Sequence, residues 1–212
     1  MPAKEEFKDY CEKEYKKDFS PGIVAIGHSM GARLLSQAIF SKEYIKPELR
    51  NSSSESHVDL FIGLQGAFSA KRFVKEEGWE GSPYAAFNEY PTVFTLTTSR
   101  YDLANQTARF ITGARHVGGK YGLAYARKEK NKDVFQVIEW ANNYKTDLEK
   151  LSSIPKEDKR KVIMIDASII VDGYNSNKGA SKPPDAHNDI LDKDMGQLIW
   201  LLMKSIAPCT LS

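Results

Sequence analysis

The 212-residue sequence predicts an α/β fold, in which a mainly parallel sheet is flanked by helices. Two observations carry this prediction. Four short apolar stretches have the composition of buried strands. Longer segments with helical character separate these stretches, which is the alternation that parallel sheets need. The predicted strands are Ile23–Ile26, Val58–Leu64, Thr92–Thr98 and Lys161–Asp166.

Helices are predicted where apolar side chains recur at helical spacing. These segments are residues 4–17, Met30–Phe40 and Met195–Ile206. Residues 47–57 are polar and rich in serine, so we expect a loop there. Two other stretches, 66–90 and 113–132, fit no regular element.

The stretch 66–90 is rich in aromatic residues, among them Phe68, Phe73, Trp79 and Tyr84. One interpretation is a lid or cap over a pocket. The other is a surface excursion that packs its own aromatic side chains. In either case the length of the chain favours one domain over residues 1–212.

Composition and charge exclude several functional classes. Lysine and arginine total 30 and aspartate and glutamate total 28, so the net charge is +2. This balance argues against nucleic acid as a partner, and the basic stretch 109–132 is interpreted as a solvated face. The apolar stretches are too short for a membrane span. The beginning of the sequence has no signal-peptide core, and Cys11 and Cys209 are interpreted as reduced, non-catalytic thiols, so we expect a cytoplasmic protein.

The sequence Gly27-His28-Ser29-Met30-Gly31 has the form G-x-S-x-G and lies between a predicted strand and a predicted helix. That setting favours a strained turn that exposes a serine hydroxyl, for which small neighbours are expected. The backbone N–H of Met30 is then one predicted donor to an oxyanion. The alternative is an ordinary strand-to-helix turn with an unreactive serine.

A reactive serine needs a base. His187 follows the fourth predicted strand in a loop before the last helix, so it is the best placed histidine. His28 lies inside the turn and is expected to point elsewhere. His57 lies at the beginning of a strand, which is the wrong end of a parallel sheet, and His116 lies in a glycine-rich basic stretch.

The base in turn needs an acid to orient it. Asp102 follows the third predicted strand directly, where the carboxyl end of the strand becomes a loop. Asp166 and Asp172, after the fourth strand, are second choices. The alternative role for Asp102 is a turn or a helix cap.

With its flanking elements, the sequence GHSMGA resembles the lipase- and esterase-like members of the α/β-hydrolase superfamily. The resemblance covers about residues 20–206 and maps the four strands onto the last four strands of that fold. It implies a triad of Ser29, Asp102 and His187 that cleaves an ester, thioester or amide bond in a small-molecule acyl substrate without a cofactor. His28 and Gln65 are predicted to contact that substrate.

The sequence departs from the family before the serine. Only 22 residues precede Ile23, and they are predicted to be helical, whereas the family has several strands and an oxyanion loop there. We therefore expect that the amino-terminal strands and the second oxyanion donor come from a longer chain or a partner chain, or that the domain is a reduced, inactive form. The strand before Ser29 is then an edge of the sheet.

Two further functions remain open. One is a non-catalytic domain of hydrolase fold that binds a ligand or a partner protein. The other is a metal-dependent hydrolase that uses Asp185, His187 and Asp189, although three ligands from one short loop are weak evidence for a metal site.

Overall fold

A five-stranded parallel sheet forms the centre of the computed structural model. The strands are β1 (Val24–His28), β2 (Leu60–Leu64), β3 (Val93–Thr98), β4 (Phe135–Glu139) and β5 (Val162–Asp166). Their order across the sheet is β1-β2-β3-β5-β4. The structure describes residues 22–49, 56–76, 82–104, 114–154, 161–173 and 186–206.

Helices flank this sheet. They are α1 (Met30–Ile39), α2 (Ser41–Tyr44), α3 (Lys120–Ala126), α4 (Tyr144–Ser152) and α5 (Lys193–Ile206). Short 3-10 helices cover Pro47–Leu49, Ala70–Phe73, Phe87–Glu89, Glu129–Asn131 and Ala186–Leu191. None of the helices in the described ranges is long and apolar enough to cross a membrane.

The sheet has a hydrophobic core on each face. Successive strand residues point to opposite faces, so Phe61 belongs to one core and Ile62 to the other. The first core contains side chains of α1 and α3, and the second contains side chains of α4 and α5. The sheet is thus buried on both sides, which explains why its central strands read as continuous apolar stretches.

The predicted α/β class, the four predicted strands and the helices after Ser29 and at Lys193–Ile206 are confirmed, with ends shifted by a few residues. The prediction missed β4 and α4, and it was wrong to leave 113–132 without a regular element, because α3 lies there. β4 is an edge strand of sequence FQVIE, in which Gln136 is partly exposed and Glu139 is exposed. α3 has seven residues and contains Gly122. Its short length and its glycine both weaken the apolar pattern by which a helix is predicted.

Aromatic side chains from the stretch 66–90 lie in the first core. Those in the described part of that stretch are buried: Phe68, Phe73, Tyr84, Phe87 and Tyr90. Phe40, which follows α1, stacks on Tyr84 with ring centroids 4.3 Å apart. These side chains therefore pack as core residues. Four features named from the sequence lie outside the described residues: Trp79, the predicted helix at 4–17, Cys11 and Cys209. The lid over a pocket stays a prediction.

The topology gathers the loops that follow the strands at one edge of the sheet. All the strands are parallel, so their carboxyl ends lie on the same side. The helix that follows β3 along the chain, α3, packs against one face of the sheet, and the helix that follows β5, α5, packs against the other. Neighbouring strands whose connections diverge in this way leave a crevice at their carboxyl ends, where ligands bind in open α/β sheets.

Candidate active site

Ser29 occupies the turn between β1 and α1 with φ 52° and ψ −118°. A non-glycine residue in this conformation costs on the order of 1–3 kcal/mol and persists only where its surroundings enforce it. Here the backbone N–H of Ser29 donates to the Leu64 carbonyl at 2.9 Å, and the Ser29 carbonyl accepts from the N–H of Ala67 at 3.0 Å. The predicted strand–turn–helix arrangement is therefore present, and the end of β2 holds the strained serine in place.

The two glycines of the motif differ in how closely they are packed. A Cβ added to Gly27 would lie 2.7 Å from the backbone nitrogen of Ala32, so no side chain fits there. A Cβ added to Gly31 would meet nothing within 4 Å. The steric reason predicted for both glycines thus holds for Gly27 and is wrong for Gly31.

His187 and Asp102 form a hydrogen bond of 2.9 Å between Nδ1 and Oδ2, although they are 85 residues apart in sequence. The Asp102 side chain is completely buried and that of His187 is 15% exposed. Because a carboxylate is an acceptor, the Nδ1 atom of His187 carries the proton. Its Nε2 atom is then the basic nitrogen of the ring.

The loop that carries Asp102 is fastened to the loop that follows β5. The Ser99 hydroxyl donates to the Val171 carbonyl at 2.6 Å, and the N–H of Arg100 donates to the Ser168 hydroxyl at 3.1 Å. Asp102 thus lies on a segment with two fixed points just before it. These bonds explain how a carboxylate four residues beyond the end of β3 keeps one position.

The two second-choice acids have other surroundings. Asp166 accepts a hydrogen bond from the Ser168 hydroxyl at 2.5 Å, and its Oδ2 atom lies 3.5 Å from the Arg127 guanidinium. Asp172 lines an open cleft of about 760 Å³ at the carboxyl ends of β3, β4 and β5, together with Arg100 and Trp140. The bond to His187 therefore favours Asp102 as the acid.

His28 also contacts His187, which the sequence did not predict. Its Nε2 atom lies 3.0 Å from the backbone carbonyl of His187, and the two rings have centroids 4.5 Å apart at an angle of 45°. The His28 ring thus points toward the main chain and ring of His187, and contact between His28 and a substrate stays a prediction. Its position directly before Ser29 was the available signal, because the flanks of a nucleophile lie near its base.

The other predicted site residues lie close to the same edge. Met30 is the first residue of α1, where backbone N–H groups have no acceptor within the helix, as an oxyanion donor requires. Gln65 follows β2 with φ 42°, and its side chain is completely buried. Its N–H donates to the Thr97 hydroxyl at 3.0 Å. Contact between Gln65 and a substrate stays a prediction.

The metal-binding alternative is not supported by the residues that the structure describes. Within those ranges, no group of three or more His, Cys, Asp or Glu side chains is arranged to hold a metal ion. Asp189 is buried and accepts a hydrogen bond from the N–H of Gly173 at 2.6 Å. Asp185 lies outside the described residues.

Comparisons with protein-family models, with curated proteins and with solved structures found no match to this chain. The interpretation of the site therefore depends on its own geometry. That geometry consists of a strained serine at the beginning of a helix and a histidine bonded to a buried aspartate at the same edge of the sheet.

Proposed function

We propose that this chain is a serine hydrolase of α/β-hydrolase type, which cleaves a carboxylic ester or a related acyl bond through Ser29, His187 and Asp102. The observation that carries the proposal is the 2.9 Å hydrogen bond between His187 Nδ1 and the buried Asp102 carboxylate. A histidine oriented by a buried carboxylate is the base that an alcohol nucleophile requires.

The environment of Ser29 supports the role of nucleophile. His28 contacts His187 directly, and Ser29 is the next residue along the chain, so the serine and the base belong to one neighbourhood. Consecutive Cα atoms are about 3.8 Å apart, which limits how far Ser29 can lie from that contact. The strained backbone of Ser29 also fits a functional position better than an ordinary turn.

The reaction proceeds in two halves. The Ser29 hydroxyl oxygen attacks the acyl carbon as His187 Nε2 takes the hydroxyl proton, and the carbonyl electron pair moves to the oxygen. The backbone N–H of Met30 stabilises this oxyanion. Collapse breaks the bond to the leaving group, which receives the proton from His187. In the second half, His187 Nε2 takes a proton from water as the water oxygen attacks the acyl carbon. The bond between that carbon and the Ser29 oxygen then breaks, His187 returns the proton to the Ser29 oxygen, and the acid is released.

Asp102 keeps the proton on His187 Nδ1 and stabilises the imidazolium that forms in each half of the reaction. The protein groups in this scheme carry the whole reaction, so the mechanism requires no cofactor.

Labelling with a fluorophosphonate probe, measured by intact mass, tests this proposal. We expect the full chain to gain one adduct and the variant Ser29→Ala to gain none. Ser153→Ala is the matched control, because Ser153 is an exposed serine whose hydroxyl donates to the Lys150 carbonyl at the end of α4. This control variant should be labelled at the wild-type rate.

Two outcomes would contradict the proposal. One is an adduct that persists in Ser29→Ala. The other is a folded chain that is neither labelled nor able to hydrolyse p-nitrophenyl butyrate, which would favour the non-catalytic binding domain instead.

A further inference from the structure

His28 connects the turn at Ser29 to the 3-10 helix Ala186–Leu191, which carries His187. Its side chain is the last of β1, and its Nε2 atom contacts the carbonyl oxygen of a residue 159 positions away. A carbonyl oxygen only accepts, so His28 Nε2 must carry a proton and donate it. This bond joins the side chain of the residue before the proposed nucleophile to the main chain of His187 itself.

His187 is thus held at two points. Asp102 binds its side chain at Nδ1, and His28 binds its main chain at the carbonyl oxygen. The His28 ring also packs against the His187 ring, with centroids 4.5 Å apart. The element that carries His187 is a six-residue 3-10 helix, Ala186–Leu191, which by itself gives little rigidity.

We infer that His28 is a positioning residue, which fixes His187 relative to Ser29 for proton transfer. The inference rests on the proposed function. Proton transfer between two side chains requires hydrogen-bond distance, and a displacement of about 1 Å can cost on the order of 100-fold in rate. A bond from the residue next to the nucleophile to the backbone of the base controls that distance directly.

Two substitutions separate the hydrogen bond from the ring. In His28→Gln, the side-chain amide retains an N–H donor at nearly the position of Nε2 but removes the ring. In His28→Phe, a flat ring remains and the donor is lost. A role in positioning predicts that the glutamine variant rescues activity, whereas a role in packing alone predicts that the phenylalanine variant does.

The first measurement is the kinetics of the full chain with p-nitrophenyl butyrate, alongside the rate of fluorophosphonate labelling. We expect His28→Phe to lower kcat and the labelling rate by about 10- to 100-fold, with KM changed by less than about threefold. His28→Gln should stay within about threefold of wild type. A rise in KM with kcat unchanged would show a substrate contact instead and would overturn the inference.

The second measurement does not depend on activity. Imidazole ¹H–¹⁵N correlation spectra report the tautomer of each ring, and they can also be recorded on Ser29→Ala. We expect an Nε2-protonated His28 and a slowly exchanging Nδ1 proton on His187. That proton signal should broaden in His28→Phe and persist in His28→Gln. If the wild-type protein gives these spectra but does not react with the fluorophosphonate probe, the proposed function is contradicted while the contact between His28 and His187 is supported.

The inference is overturned if His28→Phe retains both the wild-type rate and the His187 Nδ1 signal. It is also overturned if the two variants, each folded by circular dichroism, are equally impaired, because then the donor is not what matters.

Discussion

Two carboxylates at the same edge of the sheet, Asp102 and Asp166, differ in what surrounds them. Asp166 ends β5 and is paired in register with Thr98 at the end of β3, and Asp102 lies four residues after Thr98. Asp102 is completely buried and contacts His187. Asp166 is partly exposed and contacts Ser168 and Arg127, which is itself 44% exposed and bound to Glu139.

The difference shows that burial and partner, not distance from the end of a strand, distinguish a candidate catalytic acid from a structural one. Asp166 also supports the candidate site indirectly, through Ser168. It accepts from Ser168, which in turn accepts from the N–H of Arg100 on the loop that carries Asp102. One carboxylate orients the proposed base, and the other supports the loop that carries the first.

The sharpest test of this comparison replaces each acid with asparagine. Asp102→Asn offers His187 an amide that can donate as well as accept, which permits the wrong tautomer, so we expect the hydrolysis and labelling rates to fall by about 10⁴-fold. Asp166→Asn keeps an oxygen that can accept from Ser168, so we expect less than about fivefold loss. Rates with p-nitrophenyl butyrate measure both changes. Equal losses of rate in Asp102→Asn and Asp166→Asn would contradict the distinction between a catalytic and a structural carboxylate.

A second matched pair concerns the glycines around Ser29. The Cβ of Gly27→Ala would press on the Ala32 backbone at 2.7 Å, so we expect a loss of about 1–3 kcal/mol in the free energy of unfolding and a loss of labelling. Gly31→Ala adds a methyl group to open space in a helix and should be neutral or stabilising by up to about 1 kcal/mol. Urea denaturation measures both. Destabilisation by Gly31→Ala would contradict the assigned packing.

Strong local patterns made much of this predictable from sequence. The apolar strands, the turn at Ser29 and the positions of Asp102 and His187 after strands follow from hydrophobicity and order along the chain. β4 was missed because an edge strand exposes polar residues such as Gln136 and Glu139, so its pattern is weak. The contact between His28 and His187 was missed because it joins residues 159 positions apart. The position of His28 beside Ser29 indicated that its side chain lies near the base, but no local pattern identified the carbonyl of His187 as its partner.

Tyr84, Ser36 and Arg72 form a polar network in which the hydroxyl of Tyr84 contacts both other side chains. Tyr84 contacts the Ser36 hydroxyl of α1 at 2.9 Å and accepts from the Arg72 guanidinium at 2.8 Å. Burial raises the pKa of Tyr84 above its ordinary value of 10.0, and the bond to Ser36 and the charge of Arg72 oppose that rise only in part. We expect Tyr84→Phe to cost about 1–3 kcal/mol near neutral pH, because buried polar groups lose a partner.

The raised pKa gives this prediction a pH dependence. A group whose folded pKa is raised contributes its full stability below the unfolded pKa, here about 10, and loses that contribution as the pH rises toward the folded value. The stability gap between wild type and Tyr84→Phe should therefore shrink above pH 10, by up to about 1.4 kcal/mol per pH unit. Urea denaturation of both chains from pH 8 to pH 11 measures the gap. A constant gap would contradict the burial of this hydroxyl.

The smallest effect is expected at the exposed ion pair between Glu139 and Arg127, whose charged groups lie 2.7 Å apart. The side chain of Glu139 is 75% exposed and that of Arg127 is 44% exposed. Exposed ion pairs contribute about 0–1 kcal/mol, because water and salt screen them. Arg127 also has the Asp166 carboxylate at 3.5 Å, so Glu139→Gln leaves the guanidinium near a negative charge. We expect less than about 1 kcal/mol change in stability, even less at high salt, and less than a twofold change in labelling. The described contacts lead from Arg127 to Asp166, from Asp166 to Ser168, and from Ser168 to the loop that carries Asp102. A larger loss of labelling in Glu139→Gln would therefore mean that Arg127 is coupled to the proposed active site through these contacts.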